Sequence, residues 1–308
     1  MPASRSRLRV RSTETRVSRG GALALALFLF GSAVPASGAT TWVGAGATTW
    51  TAPTPNAQFD YQLGGAYPPP AGTTVLSRDR LDAPAVGKYT ICYVNAFQTQ
   101  HADLAGVWRR HPDLLLHQPG VRVPPGADPS VKADAAKYWV KDAGWDEILL
   151  DISTSAKRAA LAEIVGRWID ACAADGFQAV EPDNLDSWTR NRNSRTLLSR
   201  QNATDYVAML AARAHAAGLA IAQKNTPQLS ASRADVGFDF AIAEECARYN
   251  ECDSYTGDYA TNVIDIEYRE QDFERACADR DIGPVLSVVR RDRDVVPRGS
   301  SGFVYDAC

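Results

Sequence analysis

The chain has 308 residues, of which 45% are hydrophobic and 22% are charged, and this is enough for one large folded domain. Its formal net charge is −3, but the first 39 residues contain six arginines and one glutamate, so residues 40–308 carry about −8. Because phosphate binding requires clustered lysine and arginine side chains, this acidic charge argues against a nucleic-acid partner. It is compatible with a cationic substrate.

The first 39 residues predict an export signal. An arginine-rich start is followed by a largely apolar run at 21–34, and small residues at 37–39 precede Thr40. The run is short for a membrane span, and an uncleaved anchor is the alternative. We therefore expect a signal peptide at 1–39, a tail at 40–55 and a single domain at 56–308. After cleavage the protein would be secreted, with no membrane partner.

All six cysteines follow the predicted signal, as is typical of a protein that folds in an oxidising compartment. The short spacing of Cys246 and Cys252 would allow a disulfide within one loop, and a disulfide from Cys277 to Cys308 would attach the C-terminus. The remaining cysteines are Cys92 and Cys172. Zinc is the alternative, but no two cysteines are separated by two residues, and the four histidines show no ligand spacing with them. We expect disulfides, no metal and no other cofactor.

Short apolar runs that end in polar residues alternate with helical patterns over most of the predicted domain. The predicted strands are 59–63, 74–77, 89–94, 147–152, 177–180, 219–222, 238–243, 263–268 and 283–289. Helices are predicted at 155–174, 204–217 and 271–279. This alternation predicts an α/β protein, a single-domain (β/α)8 TIM barrel. A doubly wound open sheet is the alternative, but no glycine-rich phosphate loop supports it.

Carboxylates dominate the C-terminal ends of these predicted strands, which meet at one face of a barrel. The most distinctive stretch is 176–188, where Pro182 is expected to end regular strand pairing because it lacks an N–H donor. The polar side chains at the strand ends are Tyr93, Asn95, Asp151, Glu181, Asp183, Asp186, Lys224, Asn225, Glu244, Glu245, Asp265 and Glu267. No histidine is among them, which argues against a serine–histidine–aspartate triad or a histidine-rich metal centre.

Glycoside hydrolysis requires carboxyl groups of this kind, one as the acid and one as nucleophile or base, about 5–10 Å apart. Asp183 is the best candidate, since it follows the proline and precedes Asn184. Structural roles stay open for Asp151 and Asp265, which lie in apolar runs, and for Asp186, which could cap the next segment. Four aromatic side chains could stack on sugar rings or pack in the core: Tyr93, Trp188, Tyr249 and Tyr268.

Five strings occur in an order that resembles the endo-α-1,4-polygalactosaminidase family of glycoside hydrolases, which are exported (β/α)8 barrels. They lie at 59–63, 91–94, 176–186, 223–225 and 244–252, and the resemblance extends over roughly residues 55–290. Its most specific parts are Pro-Asp-Asn-x-Asp and Glu-x-Cys-x5-Cys. Two departures concern subsite detail: Glu181 stands where similar proteins often have aspartate, and 96–100 lacks their small-residue turn with an acid.

The resemblance implies cleavage of an α-1,4-linked galactosamine-containing polysaccharide without a metal. It implies that Asp183 and a glutamate just before Cys246 are the catalytic carboxylates. That glutamate is Glu244 or Glu245, and we favour Glu244 because the residue beside the cysteine varies in the Glu-x-Cys pattern. A disulfide between Cys246 and Cys252 is also implied. The substrate-binding candidates are Asp60, Tyr93, Asn95, Asp151, Asn184, Asp186, Lys224, Asn225, Tyr249 and Glu267.

The sequence thus predicts a secreted glycoside hydrolase whose partner is a polysaccharide, and it leaves the oligomeric state open. One alternative is a secreted carbohydrate-binding barrel without turnover, because fold does not fix function. The other is a glycosidase of the same fold that acts on a different sugar, for which altered loops at 96–130 would be the signature. A scaffold role is disfavoured by the absence of repeats, heptads and low-complexity segments from the sequence.

Overall fold

Eight parallel strands form the central sheet of the structure, a computed structural model that describes residues 41–43 and 49–308. The predicted signal peptide at 1–39 lies outside the described residues. A two-stranded antiparallel pair comes first, made of β1 (Thr41–Val43) and β2 (Thr49–Thr51). The parallel strands follow in chain order: β3 (Phe59–Gln62), β4 (Val75–Asp79), β5 (Tyr89–Asn95), β6 (Ala179–Asp183), β7 (Ala220–Lys224), β8 (Phe240–Glu244), β9 (Val263–Glu267) and β10 (Ser287–Arg291).

The sheet curves into a nearly closed barrel. Each strand from β3 to β9 pairs in parallel with the next one along the chain. The first and last of them, β3 and β10, also contact each other, and β11 (Tyr305–Ala307) adds an antiparallel strand to β10. With helices in the connections, this is the predicted single-domain (β/α)8 barrel, and the prediction is confirmed.

The longest helices follow local sequence signals. The helices are α1 (His101–Leu104), α2 (Lys132–Tyr138), α3 (Ser155–Asp175), α4 (Ser194–Leu197), α5 (Arg200–Ala216), α6 (Arg233–Val236), α7 (Cys246–Tyr249), α8 (Asp253–Tyr259) and α9 (Glu270–Ala278). Short 3-10 helices occupy Trp108–Arg110, Pro112–Leu114, Ser187–Thr189 and Pro227–Ser232. The Thr154 side chain caps the start of α3, and Gly176, with a φ of 96°, ends it, close to the predicted end at 174.

The predicted strand at 147–152 is wrong as a strand of the barrel. Residues 148–150 form only isolated antiparallel bridges, to Lys141, Gln98 and Leu115. These partners all lie in the long segment 96–154 between β5 and α3, which buries its own apolar residues, including Trp108 and Trp139. An apolar run indicates that a segment is buried, but it does not indicate which sheet the segment joins. The prediction was wrong for this reason.

Two boundaries are informative. The pairing of β6 with β7 stops at Val180, before Pro182, whereas the pairing with β5 continues to Asp183. Pro182 is therefore compatible with pairing to β5 but not to β7, because proline has no backbone N–H to donate. Within the predicted tail at 40–55, Ala52 is buried and the Trp50 indole N–H donates to Asp239 Oδ1 at 3.0 Å, which attaches this segment to the barrel.

Three disulfides involve all six cysteines, as expected: Cys92–Cys172, Cys246–Cys252 and Cys277–Cys308. The first joins β5 to α3, the second closes the loop around α7, and the third holds the C-terminus to α9. The two sulfur atoms nearest Asp265 belong to the second disulfide, so they are not thiolates that could bind a metal. In the described part of the chain, no helix is both long and apolar enough to cross a bilayer.

We expect replacement of both Cys92 and Cys172 by alanine to lower the free energy of unfolding by about 2–5 kcal/mol. This disulfide spans 80 residues, whereas Cys277–Cys308 spans 31, so the corresponding double variant of the latter should lose less. Urea denaturation of the two double variants beside the wild type measures both losses. An equal or larger loss for the shorter segment would contradict the chain-entropy explanation.

Candidate active site

A cleft of about 650 Å³ lies at the C-terminal ends of the barrel strands. Asp183 and Glu244 are the last residues of β6 and β8, Asn225 directly follows β7, and Tyr268 directly follows β9. The cleft is lined by Tyr61, Leu63, Gly64, Tyr93, Trp145, Glu147, Asp183, Asn184, Asp186, Arg190, Asn225, Glu244, Glu245, Tyr249, Tyr268, Arg293, Asp294 and Val295. Carboxylates predicted from different strands therefore do meet in one cavity.

The buried ammonium group of Lys224 connects the candidate acids. Its side chain is 1% exposed, and Nζ lies 3.7 Å from Asp183 Oδ1 and 3.7 Å from Glu244 Oε2. The two carboxylate oxygens are therefore at most twice that distance apart, which is below the upper limit of about 10 Å for glycoside hydrolysis. Although burial alone would lower the pKa of Lys224, the surrounding carboxylates raise it well above its usual value, so the site retains a fixed positive charge.

Asp183 is held as an ionised carboxylate. Its Oδ2 accepts a hydrogen bond from the Tyr93 hydroxyl at 2.9 Å, and its Oδ1 accepts one from the Asn184 backbone N–H at 2.7 Å. Burial would raise the pKa of Asp183, but the charge of Lys224 and these two donors outweigh it and lower the pKa below its usual value. This group is therefore charged at neutral pH.

Glu244 is fixed by its neighbours on both sides. The Asn225 side chain donates to Oε2 at 2.8 Å and accepts from the Glu244 backbone N–H at 2.7 Å, while the Tyr268 hydroxyl donates to Oε1. Glu245 also borders the cleft, but it forms ion pairs with Arg248 and Arg293. Because Glu244 faces Lys224 and Glu245 is neutralised by arginines, the geometry favours Glu244 as the partner of Asp183.

Glu181 lies beneath the cleft rather than in it. It is fully buried and accepts hydrogen bonds from Ser77 at 2.6 Å, Tyr61 at 3.0 Å and Lys224 at 3.0 Å. Burial raises the pKa of Glu181 even though Lys224 and Ser77 oppose it. The glutamate that departs from the family pattern therefore supports the lysine from below.

Asp186 lines the cleft and forms an ion pair with Arg190 at 2.7 Å. Arg190 also donates to Asn184 Oδ1 at 2.9 Å and lies 3.4 Å from Asp142 Oδ2. Asp186 precedes a 3-10 helix, but its carboxylate accepts from the Thr189 hydroxyl rather than from a backbone N–H. Its main contact is thus the arginine, not the helix cap that the sequence suggested.

Besides the buried Lys224, four predicted substrate-binding residues do not line the cleft. Asp60 is buried inside the barrel, where it pairs with Arg291 at 3.3 Å and accepts from Tyr67 at 2.9 Å. Asp151 pairs with Lys157 and borders a different cavity, of about 460 Å³. Glu267 accepts hydrogen bonds from the backbone N–H groups of Ala247 and Arg248. Asn95 is hydrogen-bonded to Glu147 on one side and to Asn184 on the other.

Asp265, which the sequence left between a structural and a functional role, is also fully buried outside the cleft. Burial raises its pKa well above the usual value, and the nearby Glu267 adds to this shift. It accepts a hydrogen bond from the Cys246 backbone N–H at 3.2 Å. Its contacts are those of a structural acid beneath α7.

Sequence reasoning missed Glu147, Trp145 and Arg190 as cleft residues. Glu147 Oε2 accepts from Asn95 Nδ2 at 2.8 Å. Burial raises the pKa of Glu147 to about 7; the Asn95 hydrogen bond opposes this shift, and the charges of Asp183 and Asp142 reinforce it. The available signal was the polar stretch 141–147, which the prediction of a strand at 147–152 left unexamined.

A (β/α)8 barrel that brings several carboxylates to one cleft at its strand ends is an arrangement typical of glycoside hydrolases. The sequence matches the model of glycoside-hydrolase family GH114 over residues 39–308, and the chain belongs to this family. It is therefore a glycoside hydrolase, as predicted. No match is found among curated proteins.

Solved structures are similar in fold. Aspergillus fumigatus Ega3, determined in complex with galactosamine, shares 21% identity and a TM-score of 0.60, with 83% of this chain and 96% of that chain covered. The glycoside hydrolase domain of PelA from Pseudomonas aeruginosa shares 14% identity and a TM-score of 0.49, with 80% and 98% covered. The family match, with the Ega3 fold, confirms the resemblance inferred from the sequence.

We expect Lys224→Met to lower the free energy of unfolding by about 3–5 kcal/mol, because it leaves buried Glu181 without its cation. Adding Glu181→Gln should recover part of this loss, since the amide carries no uncompensated charge. Urea denaturation of the single and double variants measures both effects, with the exposed Lys132→Met as the control. Wild-type stability in Lys224→Met would contradict the role of the ion pair.

Proposed function

We propose that this protein is a secreted hydrolase that cleaves α-1,4 linkages within galactosamine-containing polysaccharide, with Asp183 and Glu244 as the catalytic carboxylates. The observation that carries the proposal is that both groups lie 3.7 Å from the Lys224 ammonium and line one open cleft. Membership of the GH114 family and the galactosamine bound in the Ega3 structure support the choice of substrate.

The contacts suggest a division of roles. Asp183, kept ionised by Lys224, Tyr93 and the Asn184 N–H, would act on C1 of the sugar as the nucleophile, or as the base that activates water. Glu244 would donate its proton to the glycosidic oxygen as the C1–O bond breaks. Asn225 and Tyr268 would hold Glu244 in place for that transfer.

The charge of the cleft fits a cationic polymer. Its lining contains six carboxylates but only two arginines, and each arginine is already paired with an acid. An excess of negative charge in a concave site attracts amino sugars that carry a proton. Tyr249, 57% exposed at the cleft, offers a face on which a sugar ring could stack.

Secretion is part of the same proposal. Three disulfides would be unusual in a reducing cytosol and are common in exported proteins. A polysaccharide substrate outside the cell is consistent with that location. The prediction of a signal peptide at 1–39 supports it from the sequence.

The test is release of reducing sugar from partly deacetylated α-1,4-galactosaminogalactan. We expect the wild type to be active and Asp183→Asn and Glu244→Gln to lose about 10²–10⁴-fold, because each removes one half of the acid–base chemistry. Asp175→Asn, an exposed acid at the end of α3, is the matched control and should keep wild-type activity.

Near-normal activity in either active-site variant would refute that residue's assignment. Binding of the polymer by the wild type without release would instead favour a carbohydrate-binding barrel. Activity on another glycan only would keep the carboxylate pair and replace the proposed sugar specificity.

A further inference from the structure

Glu147 is presented to the cleft by a segment outside the regular barrel. Its backbone C=O accepts from the Asp142 N–H at 2.8 Å, and the next three residues are buried. Leu149 N–H donates to Val140 O at 2.9 Å, and Leu150 N–H donates to Phe97 O at 2.9 Å. The residue is therefore attached directly to a packed structure, and its side chain enters the cleft from a fixed base.

A short chain of hydrogen bonds joins Glu147 to the catalytic carboxylate. Asn95 Nδ2 donates to Glu147 Oε2 at 2.8 Å, and Asn95 Oδ1 accepts from Asn184 Nδ2 at 3.0 Å. The Asn184 backbone N–H in turn donates to Asp183 Oδ1. Two asparagine side chains thus set the position of Glu147 relative to Asp183. Among residues 49–308, no group donates to the other oxygen of Glu147, Oε1.

Glu147 also lacks a directly paired counterion among residues 49–308. The basic groups at the cleft are already engaged: Lys224 with Glu181, Asp183 and Glu244, Arg190 with Asp142 and Asp186, and Arg293 with Glu245. Across residues 49–308, Glu147 forms no ion pair. Burial raises its pKa to about 7, although the Asn95 hydrogen bond and the charge of Arg190, which forms no ion pair with it, oppose the shift. A cation bound in the cleft would supply the missing charge.

We propose that Glu147 is a specificity-determining residue whose carboxylate binds the 2-ammonium group of a galactosaminyl unit beside Asp183. This inference rests on the proposed function and names the residue that would distinguish the free amine from its N-acetyl form. An acetamide group carries no positive charge, so it cannot replace the missing counterion. Trp145, which is 55% exposed and lines the same cleft two residues earlier, offers a face for the same sugar ring.

The test compares Glu147→Gln with Asp294→Asn. Glutamine keeps the size of the side chain and an oxygen for Asn95 but loses the charge. Asp294 is an exposed acid of the same cleft, so its replacement removes the same formal charge and controls for general electrostatic attraction. Both changes are made in the Glu244→Gln protein, so that binding is measured by calorimetry without turnover. The ligands are a hexamer of α-1,4-linked galactosamine and the same hexamer fully N-acetylated.

We expect Glu147→Gln to weaken binding of the galactosamine hexamer roughly 10- to 100-fold, the usual range for a hydrogen bond between charged groups. Binding of the N-acetylated hexamer should change less than about threefold, and Asp294→Asn, which removes one charge from the general field of the cleft, should weaken the galactosamine hexamer less than Glu147→Gln does. A merely structural role would weaken both ligands alike. Equal losses for the two hexamers, or an unchanged affinity for the charged hexamer, would overturn the proposal.

Turnover is measured separately, so the two proposals fail in different ways. The protein with Glu244 intact could cleave the galactosamine hexamer while Glu147→Gln leaves its selectivity between the two hexamers unchanged. In that case the proposed function stands and the role of Glu147 is refuted. If this protein cleaves neither hexamer, the proposed function fails, and the binding ratio still decides the role of Glu147. An inactive protein without preference for the charged hexamer would refute both.

Discussion

The ammonium group of Lys224 is the interaction on which the site depends. A buried charge is costly unless it is paired, and this one is 1% exposed among carboxylates from two strands. Glu181 compensates it from within the barrel, while Asp183 and Glu244 face it from the cleft. The lysine lowers the pKa of Asp183 and so sets its protonation state. The same contacts that stabilise the barrel mouth therefore place the two acids that the proposed chemistry requires.

The strand ends share a second constraint, the direction in which the chain leaves each strand. Asn184, Asn225 and Glu245 follow or lie next to the ends of β6, β7 and β8, and all have a positive φ, near 66°, 48° and 62°. Asparagine adopts this region more readily than most residues, whereas glutamate does so at a cost. The two arginine ion pairs of Glu245 stabilise the turn that follows Glu244. Because the chain turns sharply at these positions, the barrel strand orients its own last side chain, and the loop that follows does not.

The segment 96–154 contributes residues to the cleft from outside the regular barrel. Its apolar residues join the core between the strands and the helices, with Trp108 and Trp139 fully buried, and it contributes Glu147 and Trp145 to the site. Asn95, at the end of β5, connects Glu147 to Asn184, which directly follows β6. Substrate selection is thus proposed to arise outside the regular barrel, while the acid pair comes from its strands.

The sequence by itself determined the barrel, the long helix α3, the candidate Asp183 and the close cysteine pair, because each depends on residues that are neighbours along the chain. The tertiary structure alone decided that Asp60 pairs with Arg291, that Asp151 lies away from the cleft, and that Glu147 lies in it. Asp60 and Arg291 are 231 positions apart, and their contact exists only because β3 meets β10. Local patterns report burial and turn chemistry, whereas distances across the mouth depend on how the whole sheet closes.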